Sequence, residues 1–129
     1  MSEPDARSRV RVAALAVLVV GAGLAVHLRL PDSAVSDIAG DALYAMVAFL
    51  AVVFIAPRVR PWIAGAIALG WCMAVELFQL TGVPLQVGGL ITPAVLVLGT
   101  VFDARDLLVY VVTVALMTGA DAAARGIRS

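Results

Sequence analysis

The chain has 129 residues and no formal net charge, and 63% of its residues are hydrophobic while 14% are charged. A soluble domain has about 45–50% apolar and about 25% charged residues, so this composition excludes an ordinary soluble domain and indicates an integral membrane protein. The length suits a single membrane domain over residues 1–129. No basic patch predicts a nucleic-acid partner. The one cysteine, Cys72, cannot form an intramolecular disulfide, and we interpret it as a small buried residue.

The first apolar run follows an arginine-containing start, and we predict a membrane span over residues 10–28. The run is longer than the apolar part of a typical signal peptide, and no A-x-A-like cleavage site follows it, so we expect it to be retained. His27 lies at its far end. An interfacial position explains this histidine better than a metal site does. We expect no metal and no cofactor.

The second and third spans are predicted over residues 41–56 and 62–80. Residues 30–40 are predicted to form a loop because Pro31 ends a helix, and Ser33, Ser36 and Asp37 suit turns and caps. The third span contains Glu76 and Gln79. A carboxylate at membrane depth costs roughly 2.5–3.5 kcal/mol on insertion scales, so we expect Glu76 to face protein or water.

The region after the third span is apolar but contains several glycines and prolines, among them Gly88, Gly89 and Pro93. Hydropathy alone would allow a fifth span there. Four spans place seven arginines on the cytoplasmic side and two outside, whereas five spans give six against three. The positive-inside rule therefore favours four. We predict a re-entrant or interfacial segment over residues 85–101 and a last span over residues 106–122.

These elements predict an all-α, polytopic membrane helical bundle with four transmembrane helices plus the re-entrant or interfacial segment. We expect a multi-pass protein of the bacterial plasma membrane, with both termini in the cytoplasm. Six polar residues then fall at the outer ends of three spans, spaced three or four residues apart in pairs. These ligand-binding candidates are Asp41, Tyr44, Glu76, Gln79, Asp106 and Tyr110.

Four short motifs resemble a family of small bacterial membrane proteins of unknown function with VanZ-like features. They are GDALY at residues 40–44, ELFQL at 76–80, LG at 98–99 with Phe102, and DLLVY at 106–110. The resemblance covers roughly residues 40–113. It implies a multi-span helical protein of undefined activity with a cell-envelope association. Family members usually carry an arginine near the position of Gly89 and a glycine near Thr113, and this chain has neither.

The six candidates are compatible with several uses. They could share protons, hold a hard cation, bind the polar head of a lipid-linked molecule, or form a plug that only fixes the helix register. Our first hypothesis is that they bind a membrane lipid or an envelope head group in an outer recess. A membrane enzyme with Glu76 or Asp106 as general base is the alternative, although no serine or cysteine nucleophile is apparent beside Glu76. A structural subunit, bound to another membrane protein or to a second copy, is the third.

Overall fold

The computed structural model describes residues 6–31, 33–79 and 104–128, with side chains as far as residue 125. These ranges contain four α-helices: α1 (Arg9–Arg29), α2 (Ala34–Ile55), α3 (Pro61–Gln79) and α4 (Ala104–Arg128). All four are long and apolar enough to cross a membrane. The prediction of an all-α, multi-pass membrane protein is therefore confirmed. The predicted segment at 85–101 lies outside the described residues.

Local side chains explain where three of the helices begin. Ser8 caps α1 by accepting a hydrogen bond from the backbone of Arg11, at 3.3 Å. Ser33 caps α2 in a reciprocal arrangement with Ser36, in which each side chain accepts from the other residue's backbone N–H. α3 begins at Pro61, whose fixed φ and missing N–H suit the first helical position.

The start of α2 corrects the prediction of a loop over residues 30–40. α1 ends at Arg29, and α2 already begins at Ala34. The polar residues and Gly40 lower the hydropathy of this stretch, but the capping pair at Ser33 and Ser36 starts the helix before the apolar run does. Asp41 is thus the eighth residue of α2, about 10 Å along the helix from its start.

Contacts between helix ends establish the directions of the helices. Asp37 in α2 pairs with Arg105 in α4, so the beginnings of these two helices lie together. At the opposite end, Arg7 just before α1 pairs with Asp121 near the end of α4. Hence α2 and α4 run parallel.

The core lies where α2, α3 and α4 meet, and α1 packs along α2. α3 presents a buried stripe of small residues, with Ala64, Ala68 and Cys72 fully enclosed. The burial expected for Cys72 is confirmed. At Gly65 the approach of α4 is so close that an added Cβ would overlap the Oγ1 of Thr118. Small residues on α3 therefore set the spacing of the three-helix core.

Residues 7–9 hold together the end of the bundle at which α1 begins and α2 and α4 finish. We call it the arginine end. The guanidinium of Arg7 contacts both carboxylate oxygens of Asp121, with its Nε at 2.9 Å from Oδ1, and also donates to the carbonyl of Pro57. Arg9 donates to the carbonyls of Phe54 and Ile55, which end α2. One short segment thereby joins the ends of α2 and α4.

Candidate functional site

The six candidate residues define what we call the polar cluster, and they lie at the other end of the bundle from the arginine end. Glu76 continues the buried stripe of α3, one turn after Cys72, and its side chain is 0% exposed. Gln79 follows on the same face of α3 and is also buried. The prediction that Glu76 faces protein is confirmed. Because the residues before it on the stripe are small, α2 and α4 can both approach the carboxyl group.

Tyr110 of α4 supplies a hydrogen-bond donor for Glu76. Its hydroxyl donates to Oε1 of Glu76 at 3.2 Å, and the Tyr110 side chain is itself buried. The register follows from the antiparallel packing of α3 and α4, which also brings Gly65 against Thr118. Two of the six candidates from different helices, Glu76 and Tyr110, are therefore in direct contact.

Tyr44 of α2 lies beside Tyr110, with ring centroids 6.2 Å apart and ring planes tilted by 43°. Its hydroxyl accepts a hydrogen bond from the indole N–H of Trp71, at 3.0 Å. Trp71 was not among the candidates because its half-exposed ring sits in an apolar run with no polar neighbour in sequence. Its contact with Tyr44 depends on the packing of α2 against α3, which sequence spacing does not reveal.

Asp41 and Asp106 form the outer part of the polar cluster. Asp106 lies in the first turn of α4, within hydrogen-bonding reach of the Asp41 side chain, and Glu76 is near enough to act on Asp41 electrostatically. The Oδ2 atom of Asp41 is shielded from solvent, and the described residues place no hydrogen-bond donor on it. Two carboxyl groups can bond to each other only through a shared proton. Since Oδ2 of Asp41 takes no part in that bond, it remains a hydrogen-bond acceptor without a donor among the described residues.

The surroundings of the cluster contain few positive charges. Arg105 precedes Asp106 in the sequence, and the Nη2 of its side chain lies 3.4 Å from Oδ2 of Asp37, at the exposed rim. His27 is exposed on α1. Within the described ranges, no three His, Cys, Asp or Glu side chains converge in a way that would hold a metal ion. The cluster is therefore rich in acceptors and phenols.

One neighbour of Glu76 was overlooked in the sequence. Cys72 lies four residues earlier on the same buried stripe, which corrects the expectation of no cysteine beside Glu76. Its thiol is enclosed in the apolar core and is 0% exposed. Substrate access to this sulfur would require the three helices to separate.

The structure thus brings Asp41, Tyr44, Glu76, Asp106 and Tyr110 together through direct contacts or close approach. It places Gln79 on the same face of α3 as Glu76.

Comparison with known proteins identifies the family to which the helices with these residues belong. No curated protein and no solved structure matches the chain. A family model described as "Protein of unknown function (DUF2809)" matches residues 30–114, which include α2, α3 and the first part of α4 with all six candidates. The match covers more than half of the sequence, and the chain belongs to this family.

Proposed function

We propose that the polar cluster binds the head group of a membrane lipid or of a lipid-linked envelope molecule, and that it holds this head group through amine or hydroxyl donors. The observation that carries the proposal is Oδ2 of Asp41, an acceptor that is shielded from solvent and has no donor among the described residues. A buried acceptor without a donor costs roughly 1–3 kcal/mol. A ligand that brings an N–H or O–H to this atom would recover that cost.

The balance of charge in the cluster favours such a ligand over a phosphate. The cluster offers an anion carboxyl oxygens and no positive charge of its own, and the side chain of Arg105 is engaged with Asp37. The rings of Tyr44 and Tyr110 add aromatic surface, which attracts cations such as an ammonium group. Apolar helix faces beside the cluster suit acyl chains. A lipid whose head group carries hydrogen-bond donors would match both the acceptors of the cluster and the apolar helix faces beside it.

The enzymatic alternative receives less support from the same geometry. General base catalysis needs a nucleophile or an activated water beside the base. Cys72 is the nearest such side chain to Glu76 along α3, and it is closed off in the core. We therefore rank binding above catalysis. The third hypothesis, a structural subunit of a larger complex, predicts a partner protein in place of a lipid.

We further propose that the arginine end faces the cytoplasm, which places the polar cluster in the outer leaflet of the bacterial plasma membrane. The excess of arginine at that end supports this orientation. A VanZ-like association with the cell envelope would be in keeping with an outward-facing site. Single cysteines at Ser2 and Ser129, in a Cys72→Ala background, should both resist a membrane-impermeant maleimide in intact cells and react after lysis. Labelling of both before lysis would invert the orientation.

Native mass spectrometry of the purified protein tests the ligand class. Phosphatidylethanolamine and phosphatidylcholine carry the same charge, but only the former has N–H donors. The test panel would also include a glucosyl diacylglycerol, which has no net charge and whose hydroxyl groups are donors too. If the proposal holds, at least one donor lipid should bind about tenfold more tightly than phosphatidylcholine, since a hydrogen bond to a charged group contributes about 1.5–3 kcal/mol.

Substitutions locate that binding within the protein. Asp41→Asn and Glu76→Gln should each reduce the preference for the donor lipid, while Asp37→Asn, at the exposed rim, serves as the matched control and should leave it unchanged. Equal binding of all three lipids by the unsubstituted protein would refute the proposal. A stoichiometric protein partner in the same spectra would favour the structural hypothesis.

A further inference from the structure

The described acidic residues are distributed very unequally between the two ends of the bundle. Asp37, Asp41, Glu76 and Asp106 lie at or near the polar cluster, and Asp121 is the one described acid at the arginine end. Both of its oxygens are bound by Arg7, whose side chain is only 6% exposed. This pair cancels its own charge inside the bundle. The charge that the described residues present to the surroundings at this end is therefore positive.

The turn between α2 and α3 carries two of these positive charges on a backbone that is held by hydrogen bonds and packing. Arg58 and Arg60 are exposed, whereas Val59 between them packs against the hydrophobic core. The backbone N–H of Val59 donates to the carbonyl of Ala56 at 3.1 Å. The carbonyl of Arg60 accepts from the first turn of α3. The backbone that carries both arginines is thus held on each side.

Two features fix this turn further. Prolines stand at positions 57 and 61, where each restricts the backbone dihedral φ. The carbonyl of Pro57 is also bound by the backbone N–H and by the guanidinium of Arg7, at 2.8 and 3.2 Å. Arg11, exposed on the first turn of α1, adds another guanidinium to the same end of the bundle. Little backbone order would have to be gained when an anion binds.

We infer that the arginine end is a docking surface for anionic phospholipids, in which Arg58 and Arg60 bind the lipid phosphates. A guanidinium pairs with two phosphate oxygens through parallel N–H donors, which an ammonium group cannot do. Helix ends carry these side chains to the depth at which bilayer phosphates lie, because α2 and α3 are both long enough to cross the hydrocarbon core. The surface is separate from the polar cluster and its ligand, so each stands or fails independently.

The test is native mass spectrometry of the full chain in detergent, titrated with phosphatidylglycerol and, separately, with phosphatidylcholine. Each basic residue near an anionic lipid surface contributes about 1 kcal/mol, so the Arg58→Gln/Arg60→Gln variant should bind phosphatidylglycerol about thirtyfold more weakly. Arg29→Gln removes an exposed arginine from the opposite end and should leave binding unchanged. Circular dichroism on all three proteins confirms that the helices remain folded.

Three results would overturn the inference. The double variant could bind phosphatidylglycerol as tightly as the unsubstituted protein does. Arg29→Gln could weaken binding by the same factor, which would mean that the lipid is not bound specifically at the turn between α2 and α3. Inorganic phosphate at millimolar concentration could displace the lipid completely, which would identify the turn as a site for free phosphate. A thirtyfold loss confined to the double variant, and absent for phosphatidylcholine, supports it.

Discussion

Replacing Tyr110 by phenylalanine removes one oxygen atom from the polar cluster and leaves the aromatic ring in place. The ring is buried and lies 6.2 Å from that of Tyr44, so its packing should persist. What disappears is the donor at 3.2 Å from Oε1 of Glu76. Because the Glu76 side chain is fully enclosed, water has no direct path to replace that donor.

The expected loss of stability lies between two reference values. A hydrogen bond to a charged group in a water-soluble protein contributes about 1.5–3 kcal/mol. Hydrogen bonds between membrane helices average about 0.6 kcal/mol and reach about 1.7, because helices that have separated in the membrane find other partners. Glu76 offers a carboxyl acceptor and complete enclosure, which places this bond near the upper membrane value. We expect Tyr110→Phe to cost about 1.5 kcal/mol of unfolding free energy.

The assay is unfolding by dodecyl sulfate in mixed micelles, followed by the fluorescence of Trp62 and Trp71. Tyr44→Phe is the matched control and should cost less, about 0.6 kcal/mol, since its hydroxyl accepts from the half-exposed Trp71. Combining Tyr110→Phe with Glu76→Leu should cost about 1 kcal/mol less than the sum of the single changes. A loss below about 0.5 kcal/mol for Tyr110→Phe, with additive effects, would refute the reasoning.

Two other substitutions probe the packing and the arginine end in the same assay. Gly65→Val should cost about 1–3 kcal/mol because the new side chain overlaps Thr118. Gly70→Ala has open space and should stabilise α3 by about 0.5–1 kcal/mol, so a similar loss at both glycines would show that helix contact is not the cause. Arg7→Gln should cost about 2–4 kcal/mol because it leaves the carboxylate of Asp121 without its guanidinium. The variant carrying Asp121→Asn as well should recover part of that loss, and no recovery would contradict a direct pairing.

Much of the fold follows from hydropathy and charge because a bilayer restricts a chain so strongly. Runs of apolar residues near spanning length allow few structures other than helices, and the distribution of arginine favours four of them. The position of Glu76 could be inferred for the same reason, since a carboxylate on a lipid-facing surface is costly. The matching depth of a neighbouring span also placed Tyr110 among the candidates, but only the packing of α3 against α4 shows that it is a partner of Glu76.

The sequence did not predict the start of α2, the contact of Trp71 or the Arg7–Asp121 pair, because these depend on individual side chains and not on average hydropathy. The helical start at Ala34 depends on two serines that bond each other's backbone, and a window of hydropathy registers them only as polar. Trp71 and the Arg7–Asp121 pair involve partners far apart in sequence, so neither follows from spacing within one helix. Such contacts become predictable only once the packing of the helices is known.

The hydrogen bond between Glu76 and Tyr110 also has consequences for biosynthesis. The two residues are 34 positions apart, and α4 emerges from the ribosome after α2 and α3. At about 5–20 residues per second, Glu76 is made roughly 2–7 s before its phenol partner. During that interval the nascent α3 must keep its carboxyl group hydrated or shielded by the insertion machinery. Assembly of the three-helix core is therefore a late event, and a chain truncated before α4 would present quality-control proteases with a helix that carries an unsheltered acid.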